Sequence, residues 1–318
     1  MEVRLTISSP RILAVLVTYH PDPVLLQRLL HSLVSQVDSV LIVDNTEGDD
    51  ESANAVLAPL RGEIPGIRVE RSGNNVGIAA AQNIGIRLAL SEDFDYVLMS
   101  DQDSLPCSGM VAALRECCEK LQAQGVSVGC VCPEYYDETT GKVFCFQVQI
   151  PGRIFYSSAS GQLATPWMEI ITAISSGALI SREALDLVGE MKDEFFIDHV
   201  DTEWCLRARA KGLRNFGTSR ARLTHRLGDE PFRFWYFGWQ ETSGYSPNRL
   251  YYRFRNFVLL CKLRHVPVRW SIRASWYWLG NLYAHCFFAR NRSGNIRAIA
   301  WGLWDGFCGR SGPSPRSI

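Results

Sequence analysis

The sequence predicts an α/β protein with a mostly parallel central sheet flanked by helices, and two observations support this prediction. Apolar runs of strand length alternate four times with segments of helical periodicity between residues 12 and 99, and such alternation builds right-handed βαβ units. Asp or Asn follows three of the runs, at the strand ends where open α/β sheets bind ligands. The chain is therefore predicted to bind a ligand along one edge of its sheet.

The predicted elements begin with a buried strand at residues 12–18, after which Asp22 suits the N-cap and Pro23 the first position of a helix. Further strands are predicted at residues 40–43, 67–70, 96–99, 126–132, 142–150 and 174–180. Further helices are predicted at residues 49–60, 78–90 and 108–124, after Ser181, and from Asp201 as N-cap to Lys211. Residues 165–170 favour neither state.

Composition divides the chain into two regions. With 318 residues, 47% of them hydrophobic, the chain is long enough for one large domain and an appendage. Residues 249–318 contain 12 basic residues and one acidic residue, whereas residues 1–248 contain 21 basic and 32 acidic residues. We therefore predict a main α/β domain at residues 1–248 and a helical C-terminal region at residues 249–318 whose positive charge faces a different partner.

The cysteines and the N-terminus indicate a cytoplasmic protein. The ten cysteines include no CxxC pair, no zinc-like spacing with histidine and no regular framework, which is typical of free thiols in a reducing compartment. The apolar run at residues 12–17 is too short for a secretory signal, and a turn rather than a cleavage site follows it. We expect the protein to remain in the cytoplasm.

Two carboxylates, Asp101 and Asp103, come directly after the predicted strand at residues 96–99 and are candidate metal ligands. Two carboxylates that flank a turn can hold one hard cation, and Mg²⁺ is usually bound by one or two carboxylates together with substrate phosphates. The phosphates would come from a nucleotide. The alternative is an ordinary surface turn, because Asp hydrogen-bonds its own backbone. Ordinary turn chemistry is likewise the alternative for Asp44 and Asn45 after the second strand, and a helix-capping loop is the alternative for residues 74–77.

A second acidic cluster occupies residues 195–207, between an aromatic anchor and a predicted helix. Transfer of a group from a nucleoside diphosphate to a hydroxyl needs a cation for the leaving diphosphate and a base for the incoming hydroxyl. Asp201 is the candidate base, because an ionised carboxylate can accept the proton as the oxygen attacks. In the alternative, Asp201 only caps the helix, and Glu203 and Arg207 form an ordinary i, i+4 pair. His225 is a candidate third metal ligand or diphosphate contact, with a structural role as the alternative.

Several motifs resemble those of the inverting family 2 glycosyltransferases, whose fold is GT-A, and they occur in the order found in that family. They are Thr18-Tyr19, Val43-Asp44-Asn45, Asn75-x-Gly77-Ile78-Ala79, Asn83-x-Gly85, Asp101-Gln102-Asp103, Ser175-Ser176-Gly177 and the cluster at residues 195–207. The resemblance covers roughly residues 11–260. It implies a nucleotide-sugar half at about residues 11–104 and an acceptor half at about residues 105–248.

Residues 101–104, 196–203 and 301–306 are similar to those of the bacterial rhamnosyltransferases within this family, above all the one that adds the second rhamnose in rhamnolipid synthesis, followed by those of O-antigen synthesis. The resemblance implies dTDP-L-rhamnose as donor, a glycolipid or lipid-linked saccharide as acceptor, and inversion by direct displacement. It also implies Mg²⁺ or Mn²⁺ at Asp103, with Asp101 near the ribose and metal. Asp44 would lie near the base, and Asp201 would be the catalytic base.

The same resemblance assigns the remaining motif residues. Contacts to the nucleotide sugar are implied for Thr18, Tyr19, Asn45, Asn75, Gly77, Asn83 and Gln102, and contacts to the transferred sugar or acceptor for Ser175, Ser176 and Gly177. One departure concerns Val200, since many family members carry Glu immediately before the residue that corresponds to Asp201. Asp198 is therefore the alternative catalytic carboxylate.

The C-terminal part of the chain is aromatic as well as basic. Residues 228–247 have no clear periodicity and are predicted to form a mobile loop over the acceptor site, with Trp235 and Trp239 as contacts. An amphipathic helix is predicted at residues 251–264, and five tryptophans follow between residues 269 and 304.

The partner predicted for this region is the surface of the inner membrane. The longest uncharged run has 16 residues, fewer than the roughly 20 needed to span a bilayer, so a peripheral mode of binding is expected. Packing on the main domain or a homo-oligomer interface is the alternative. Nucleic acid is not predicted as a partner, because no RNA- or DNA-binding motif accompanies the charge.

Two competing functions stay open at this point. One is transfer of another sugar from a dTDP- or UDP-linked donor, as in the synthesis of O-antigen or another polysaccharide. The other is an inert, membrane-associated scaffold of the same fold, against which the intact Asp101, Asp103 and Asp201 argue.

Overall fold

The computed structural model describes residues 9–48, 56–57, 66–137, 143–150, 153–157, 166–225, 229–235 and 238–316. The strands are β1 Ile12–Thr18, β2 Ser39–Asp44, β3 Ile67–Arg71, β4 Tyr96–Asp101, β5 Ser104–Pro106, β6 Val128–Tyr136, β7 Phe146–Ile150, β8 Arg153–Ser157, β9 Trp167–Ile170, β10 Leu179–Ser181, β11 Arg214–His225, β12 Asp229–Trp235 and β13 Trp239–Gly244. The helices are α1 Pro23–Leu33, α2 Ile78–Ser91, α3 Met110–Ala123, α4 Arg182–Val188, α5 Val200–Ala210, α6 Pro247–Cys261, α7 Val268–Phe287 and α8 Arg292–Phe307. Most of the helix predicted at residues 49–60 lies outside the described residues, although residues 56–57 are helical.

The main sheet has the strand order β3-β2-β1-β4-β10-β6-β11-β5, with β9 paired to β11. Strands β3, β2, β1 and β4 run parallel, whereas β10 is antiparallel to both of its neighbours. All seven residues of β1 are buried, because helices cover both faces of a parallel sheet. The side chain of Asp22 accepts hydrogen bonds from the first turn of α1, as predicted. The predicted mixed α/β fold with its mostly parallel central sheet is confirmed.

Two local predictions differ from the structure in the segments that border the sheet. Residues 174–178 form a turn rather than a strand, and only Leu179–Ser181 join the sheet as β10. The predicted N-cap at Asp201 is wrong, because α5 begins at Val200 after His199, which has a positive φ of 65°. A positive φ is uncommon in residues other than glycine, so the sequence did not indicate it at His199.

The segment that we predicted as a mobile loop, residues 228–247, contains the antiparallel hairpin β12–β13. Alternation explains the hairpin, since Phe234 is buried while Arg233 and Trp235 are exposed. Phe234 packs against Phe288 beyond α7, with ring centroids 6.3 Å apart. Because aromatic residues are frequent throughout this segment, its alternation with a period of two was not apparent from the sequence.

The C-terminal helices α6, α7 and α8 pack against one another and against the main domain. Asp305, the acidic residue of this region, is fully buried in α8 and accepts a hydrogen bond from the hydroxyl of Tyr251 at 2.9 Å. Arg310 and Arg316 complete its ion pairs. None of the helices in the described part of the chain is long and apolar enough to cross a membrane. All ten cysteines are free thiols.

Candidate active site

A cleft of about 670 Å³ opens at the carboxyl ends of β1, β2 and β4. Its other walls come from the segment between α4 and α5 and from the first two turns of α6. The cleft brings together eleven of the residues that the sequence singled out: Thr18, Tyr19, Asn45, Asn75, Gly77, Asp101, Gln102, Asp103, Ser175, Asp198 and Asp201. This is the ligand-binding edge that an open α/β sheet is expected to present.

Side-chain amides connect the loops on the side of the cleft formed by the first four strands. The amide of Gln102 exchanges two hydrogen bonds with the backbone of Tyr19, at 2.8 and 3.0 Å. The side chain of Asn45 donates to that of Asn75 at 3.0 Å and accepts from the backbone of Val76 at 2.9 Å. These bonds join the loop after β1 to the loop after β4, and the loop after β2 to the loop after β3.

Several predicted site residues lie behind the cleft wall rather than in it. Asp44 is fully buried and its carboxylate accepts from Thr18, Thr46 and Arg71. The amide of Asn83 bonds the backbone of Met191 in both directions, at 2.9 and 2.8 Å. Both residues hold cleft-bearing segments in place. Gly177 has a φ of 76°, and a Cβ atom there would lie 2.8 Å from Pro133.

The remaining predicted residues lie away from the cleft or outside the description. Trp235 and Trp239 face each other across the tip of the β12–β13 hairpin and do not line the cleft. Their side chains are 53% and 67% exposed, so an incoming molecule can reach them. The backbone of His225 ends β11 opposite Ser104, but its side chain lies outside the described part of the structure.

Asp101 and Asp103 lie at the turn between β4 and β5, inside the cleft. One oxygen of Asp101 accepts a hydrogen bond from the hydroxyl of Ser176, whereas the other, Oδ1, is buried without a hydrogen-bond partner. Within the described residues, no three His, Cys, Asp or Glu side chains cluster as a complete metal site. The carboxylates of Asp101 and Asp103 therefore fit a cation that takes its other ligands from a bound phosphate, and this type of coordination is usual for Mg²⁺.

Asp201 lies in the first turn of α5 and lines the same cleft. It lies near Asp101, since the two carboxylates accept hydrogen bonds from the adjacent residues Ser175 and Ser176. Its Oδ2 accepts from the backbone N–H of Ser175 at 3.2 Å, and its Oδ1 accepts from that of Thr202 at 2.6 Å. Burial raises the pKa of Asp201 to about 6, with the charge of Asp101 acting in the same direction and the two N–H groups opposing it. A carboxylate that is ionised at neutral pH yet more basic than usual is suited to accept a proton.

Asp198 has the opposite electrostatic surroundings. Its carboxylate pairs with Arg249 at 3.4 Å and with Arg253 at 3.3 Å. Burial by itself would raise the pKa of Asp198, but the two guanidinium groups outweigh burial and lower it. Asp198 is therefore held as a carboxylate and is poorly suited to take up a proton.

Sequence reasoning missed Arg249 and Arg253, which are one helical turn apart on α6 and line the cleft. The guanidinium group of Arg253 lies between the rings of Tyr245 and Trp278, 4.0 and 5.1 Å from their centroids. The signal available was the i, i+4 spacing of two arginines at the start of an amphipathic helix. We counted both residues toward the membrane-facing charge instead.

The predicted pair of Glu203 and Arg207 is present, with a separation of 2.9 Å. Glu203 is fully buried, and the Nε2 of His265 lies 2.9 Å from its carboxylate. The pair lies outside the cleft lining and anchors α5 to the C-terminal region. Its role is structural, in agreement with the interpretation given for these two residues.

Comparison with known proteins agrees with the geometry of the cleft. The family model described as glycosyl transferase family 2 matches residues 14–189, which is more than half of the chain. The chain belongs to glycosyl transferase family 2. This family 2 glycosyltransferase is 33% identical over 267 residues to the dTDP-rhamnosyl transferase RfbF of Shigella flexneri, covering 83% of this chain and 84% of the relative. The predicted enzyme class is confirmed.

Two further comparisons concern more distant proteins. An uncharacterized protein of Mycobacterium tuberculosis is 28% identical over 181 residues, which cover 55% of this chain and 64% of that protein. The crystal structure of GalNAc-T7 with UDP, GalNAc and Mn²⁺ superposes with a TM-score of 0.61 at 11% identity, over 95% of this chain and 58% of that one. At this identity the likeness concerns the fold, and the predicted GT-A fold is confirmed.

Proposed function

We propose that this glycosyltransferase transfers L-rhamnose from dTDP-L-rhamnose to a hydroxyl group of a glycolipid or lipid-linked saccharide, with inversion at the anomeric carbon. The observation that carries the proposal is a single cleft lined by Asp101, Asp103 and a basic carboxylate, Asp201. The 33% identity to a dTDP-rhamnosyl transferase supports the identity of the donor.

The nucleotide is proposed to lie along the ends of β1 and β2, where Tyr19, Asn45 and Asn75 line the cleft. Asp101 and Asp103 would hold Mg²⁺ or Mn²⁺ together with the diphosphate. When bound, this cation supplies positive charge against the leaving diphosphate. Arg249 and Arg253 are proposed to contact the same diphosphate from the opposite wall, because paired guanidinium groups match phosphate oxygens.

Asp201 is proposed to act as the general base. As the acceptor oxygen attacks the anomeric carbon, its proton passes to the carboxylate of Asp201. The new carbon–oxygen bond forms while the bond from the sugar to the diphosphate oxygen breaks, and dTDP leaves. A single displacement of this kind inverts the anomeric configuration. Asp198 is assigned a different role, that of orienting Arg249 and Arg253.

The acceptor is proposed to be lipid-linked because one face of α7 exposes apolar side chains beside basic ones. Val268, Ile272 and Trp276 follow one another at i, i+4 spacing and are 73%, 58% and 66% exposed. Arg269 and Arg273 lie exposed beside them. An exposed apolar stripe flanked by cations fits the interface of an anionic bilayer. We therefore propose peripheral binding to the cytoplasmic face of the inner membrane, with dimerisation through this face as the alternative.

The donor is tested by a panel of nucleotide sugars. Release of nucleoside diphosphate from dTDP-L-rhamnose is measured beside a series of UDP- and GDP-sugars, with and without Mg²⁺. The acceptors are a monorhamnosyl lipid and a rhamnose-terminated saccharide on a lipid carrier. Acceptor-stimulated turnover of dTDP-L-rhamnose alone supports the proposal, and the preferred acceptor separates rhamnolipid from O-antigen synthesis. Turnover of a UDP-sugar only would show that rhamnose is not the transferred sugar. No turnover of any donor would favour the inert scaffold.

A further inference from the structure

The segment that precedes Asp201 has an unusual backbone. Phe196, Asp198 and His199 all have positive φ angles, of 61°, 62° and 65°. Residues other than glycine rarely adopt such angles, and they persist only where the surrounding structure imposes them. Residues 195–199 connect the short 3-10 helix at Asp193–Phe195, which follows α4, to the first turn of α5, and they line the cleft from Phe196 onward. The conformation of this segment therefore sets where Asp198 and Asp201 lie.

One side of the segment is fixed by the beginning of α2. The carbonyl oxygen of Phe196 accepts from the backbone N–H of Ile78 at 2.7 Å and from that of Ala79 at 3.5 Å. The contact requires a glycine immediately before α2, since a Cβ atom on Gly77 would lie 2.6 Å from the carbonyl oxygen of Phe196. The donor-side loop and the Asp198 segment are thus in direct contact.

The other side is held by α6, where Arg255 donates to the carbonyl oxygen of Phe195 at 3.4 Å and Asn256 makes the remaining contacts. Its Nδ2 lies 2.6 Å from the carbonyl oxygen of Phe195, 2.7 Å from that of Ile197 and 3.0 Å from that of Asp198. An amide nitrogen carries two hydrogens, so three carbonyl oxygens of the strained segment share two donors. Asn256 is fully buried.

The orientation of this amide is determined by its neighbour. The Nε of Arg255 donates to the Oδ1 of Asn256 at 2.9 Å, which leaves Nδ2 directed at the segment. Arg255 is itself buried, bonds the carbonyl oxygen of Gly312 at 2.5 Å, and lies over the rings of Tyr251 and Tyr252. The side-chain amide of Asn256 is therefore held in place before any substrate binds.

We propose that Asn256 is a positioning residue for glycosyl transfer: it holds residues 195–199 in the conformation that aims Asp198 at Arg249 and Arg253 and sets Asp201 against Ser175. The proposal rests on the proposed function, because it assigns to Asn256 a share in placing the base. Helix α6 then contributes to the reaction twice, through its arginines in the cleft and through Asn256 behind it. A purely structural role would instead lower stability without a selective effect on turnover.

The matched control is Asn295, a second buried asparagine of the C-terminal helices. Its Nδ2 donates to the carbonyl oxygen of His285 at 3.3 Å, far along the chain from the Asp198 segment. Asn256→Asp and Asn295→Asp each remove an amide donor without a change of shape, and Asn256→Ala serves if the new carboxylate prevents folding. For each variant, kcat, the KM of the donor, the thermal midpoint and the hydrogen–deuterium exchange of residues 195–201 are measured.

We expect Asn256→Asp and Asn256→Ala to lower kcat at least about tenfold while the donor KM changes by less than about threefold. Hydrogen–deuterium exchange of residues 195–201 should accelerate in these variants. Asn295→Asp should change neither kcat nor this exchange. Wild-type kcat in Asn256→Ala, or a loss of kcat equal to that of Asn295→Asp at the same thermal midpoint, would overturn the proposal.

The exchange measurement separates this proposal from the proposed function. If the wild-type protein turns over no donor, the proposed function fails, and exchange alone then decides whether Asn256 holds the segment. Faster exchange at residues 195–201 in Asn256→Ala but not in Asn295→Asp supports the proposal that Asn256 determines the conformation of this segment. Unchanged exchange refutes it in either case.

Discussion

Replacing Asp201 by asparagine should strongly slow transfer and at the same time stabilise the folded protein at neutral pH. The pKa of Asp201 is raised from 3.8 to about 6, mainly by burial. Since each pKa unit corresponds to about 1.4 kcal/mol, ionised Asp201 destabilises the fold by about 3 kcal/mol at neutral pH. This is a cost of keeping a basic carboxylate in the cleft, and a neutral side chain of the same shape removes it.

Part of this gain is lost through the hydrogen bonds. The carboxylate accepts from the backbone N–H groups of Ser175 and Thr202, whereas an asparagine oxygen replaces only one of its two oxygens, which costs about 1 kcal/mol. A net stabilisation of about 2 kcal/mol remains, which for a chain of 318 residues raises the thermal midpoint by about 3 °C.

The sign depends on pH in a defined way. Because the pKa of Asp201 is higher in the folded than in the unfolded protein, its contribution favours the fold below the unfolded value and is lost as the pH rises through about 6. The advantage of Asp201→Asn should therefore be largest at pH 8 and disappear near pH 4. Turnover should fall by about 10²- to 10⁴-fold, the usual contribution of a general base.

Asp198→Asn is the matched control, with the opposite sign. The pKa of Asp198 is lowered, since Arg249 and Arg253 outweigh its burial, so its charge stabilises the fold at neutral pH and this contribution is lost as the pH falls. Scanning calorimetry in metal-free buffer at pH 4.5 and pH 8, together with turnover assays, tests both variants. A lower midpoint for Asp201→Asn than for wild type at pH 8, or retained turnover, would refute the reasoning.

Four further predictions concern the cleft and the surfaces around it. First, kcat/KM in the wild type should fall about tenfold per pH unit below pH 6, as Asp201 becomes protonated; a flat profile down to pH 5 in a stopped assay would exclude Asp201 as the base. Second, chelation of divalent cations should abolish turnover, and Asp103→Asn should raise the metal concentration for half-maximal rate about tenfold or more. Equal rates of wild type and Asp103→Asn throughout a titration with Mg²⁺ would contradict a metal site at Asp103. Third, Trp276→Glu should weaken co-sedimentation with vesicles that contain anionic lipid by about tenfold. The same change at Leu187, which is 51% exposed on α4, should have no such effect, and unaltered sedimentation of Trp276→Glu would point to the dimer interface instead. Fourth, Trp235→Ala and Trp239→Ala should raise the acceptor KM while the donor KM stays constant, and an unchanged acceptor KM would separate the hairpin from acceptor binding.

The sequence was sufficient for the first four strands and the helices α1 and α2 between them because the signals there are local. The apolar run of β1, the capping Asp22 and the polar residues after each strand are all read within a few positions, and parallel strands must end at one edge of the sheet. The eleven cleft residues therefore lie together as the motifs predicted. Asp44 is the instructive exception, since its side chain turns back to Thr18 and Arg71 and is fully buried.

The contribution of α6 could not be read in the same way. The bonds from Arg253 to Asp198 and from Asn256 to Phe195 join residues 55 and 61 positions apart, and neither periodicity nor spacing reports such contacts. Net charge was misleading as well, because it groups the arginines of the cleft with those exposed on α7. The positive φ angles of Phe196, Asp198 and His199 are likewise imposed by tertiary contacts rather than by residue type.

The configuration of the product tests the central claim most directly. The disaccharide formed from dTDP-L-rhamnose and a monorhamnosyl lipid is examined by NMR, with the one-bond C–H coupling at the new anomeric centre as the readout. A single displacement, with Asp201 as base and dTDP leaving from the opposite face, predicts a product whose anomeric configuration is inverted relative to the donor. A product of retained configuration, or no product from this donor at any metal concentration, would contradict the account.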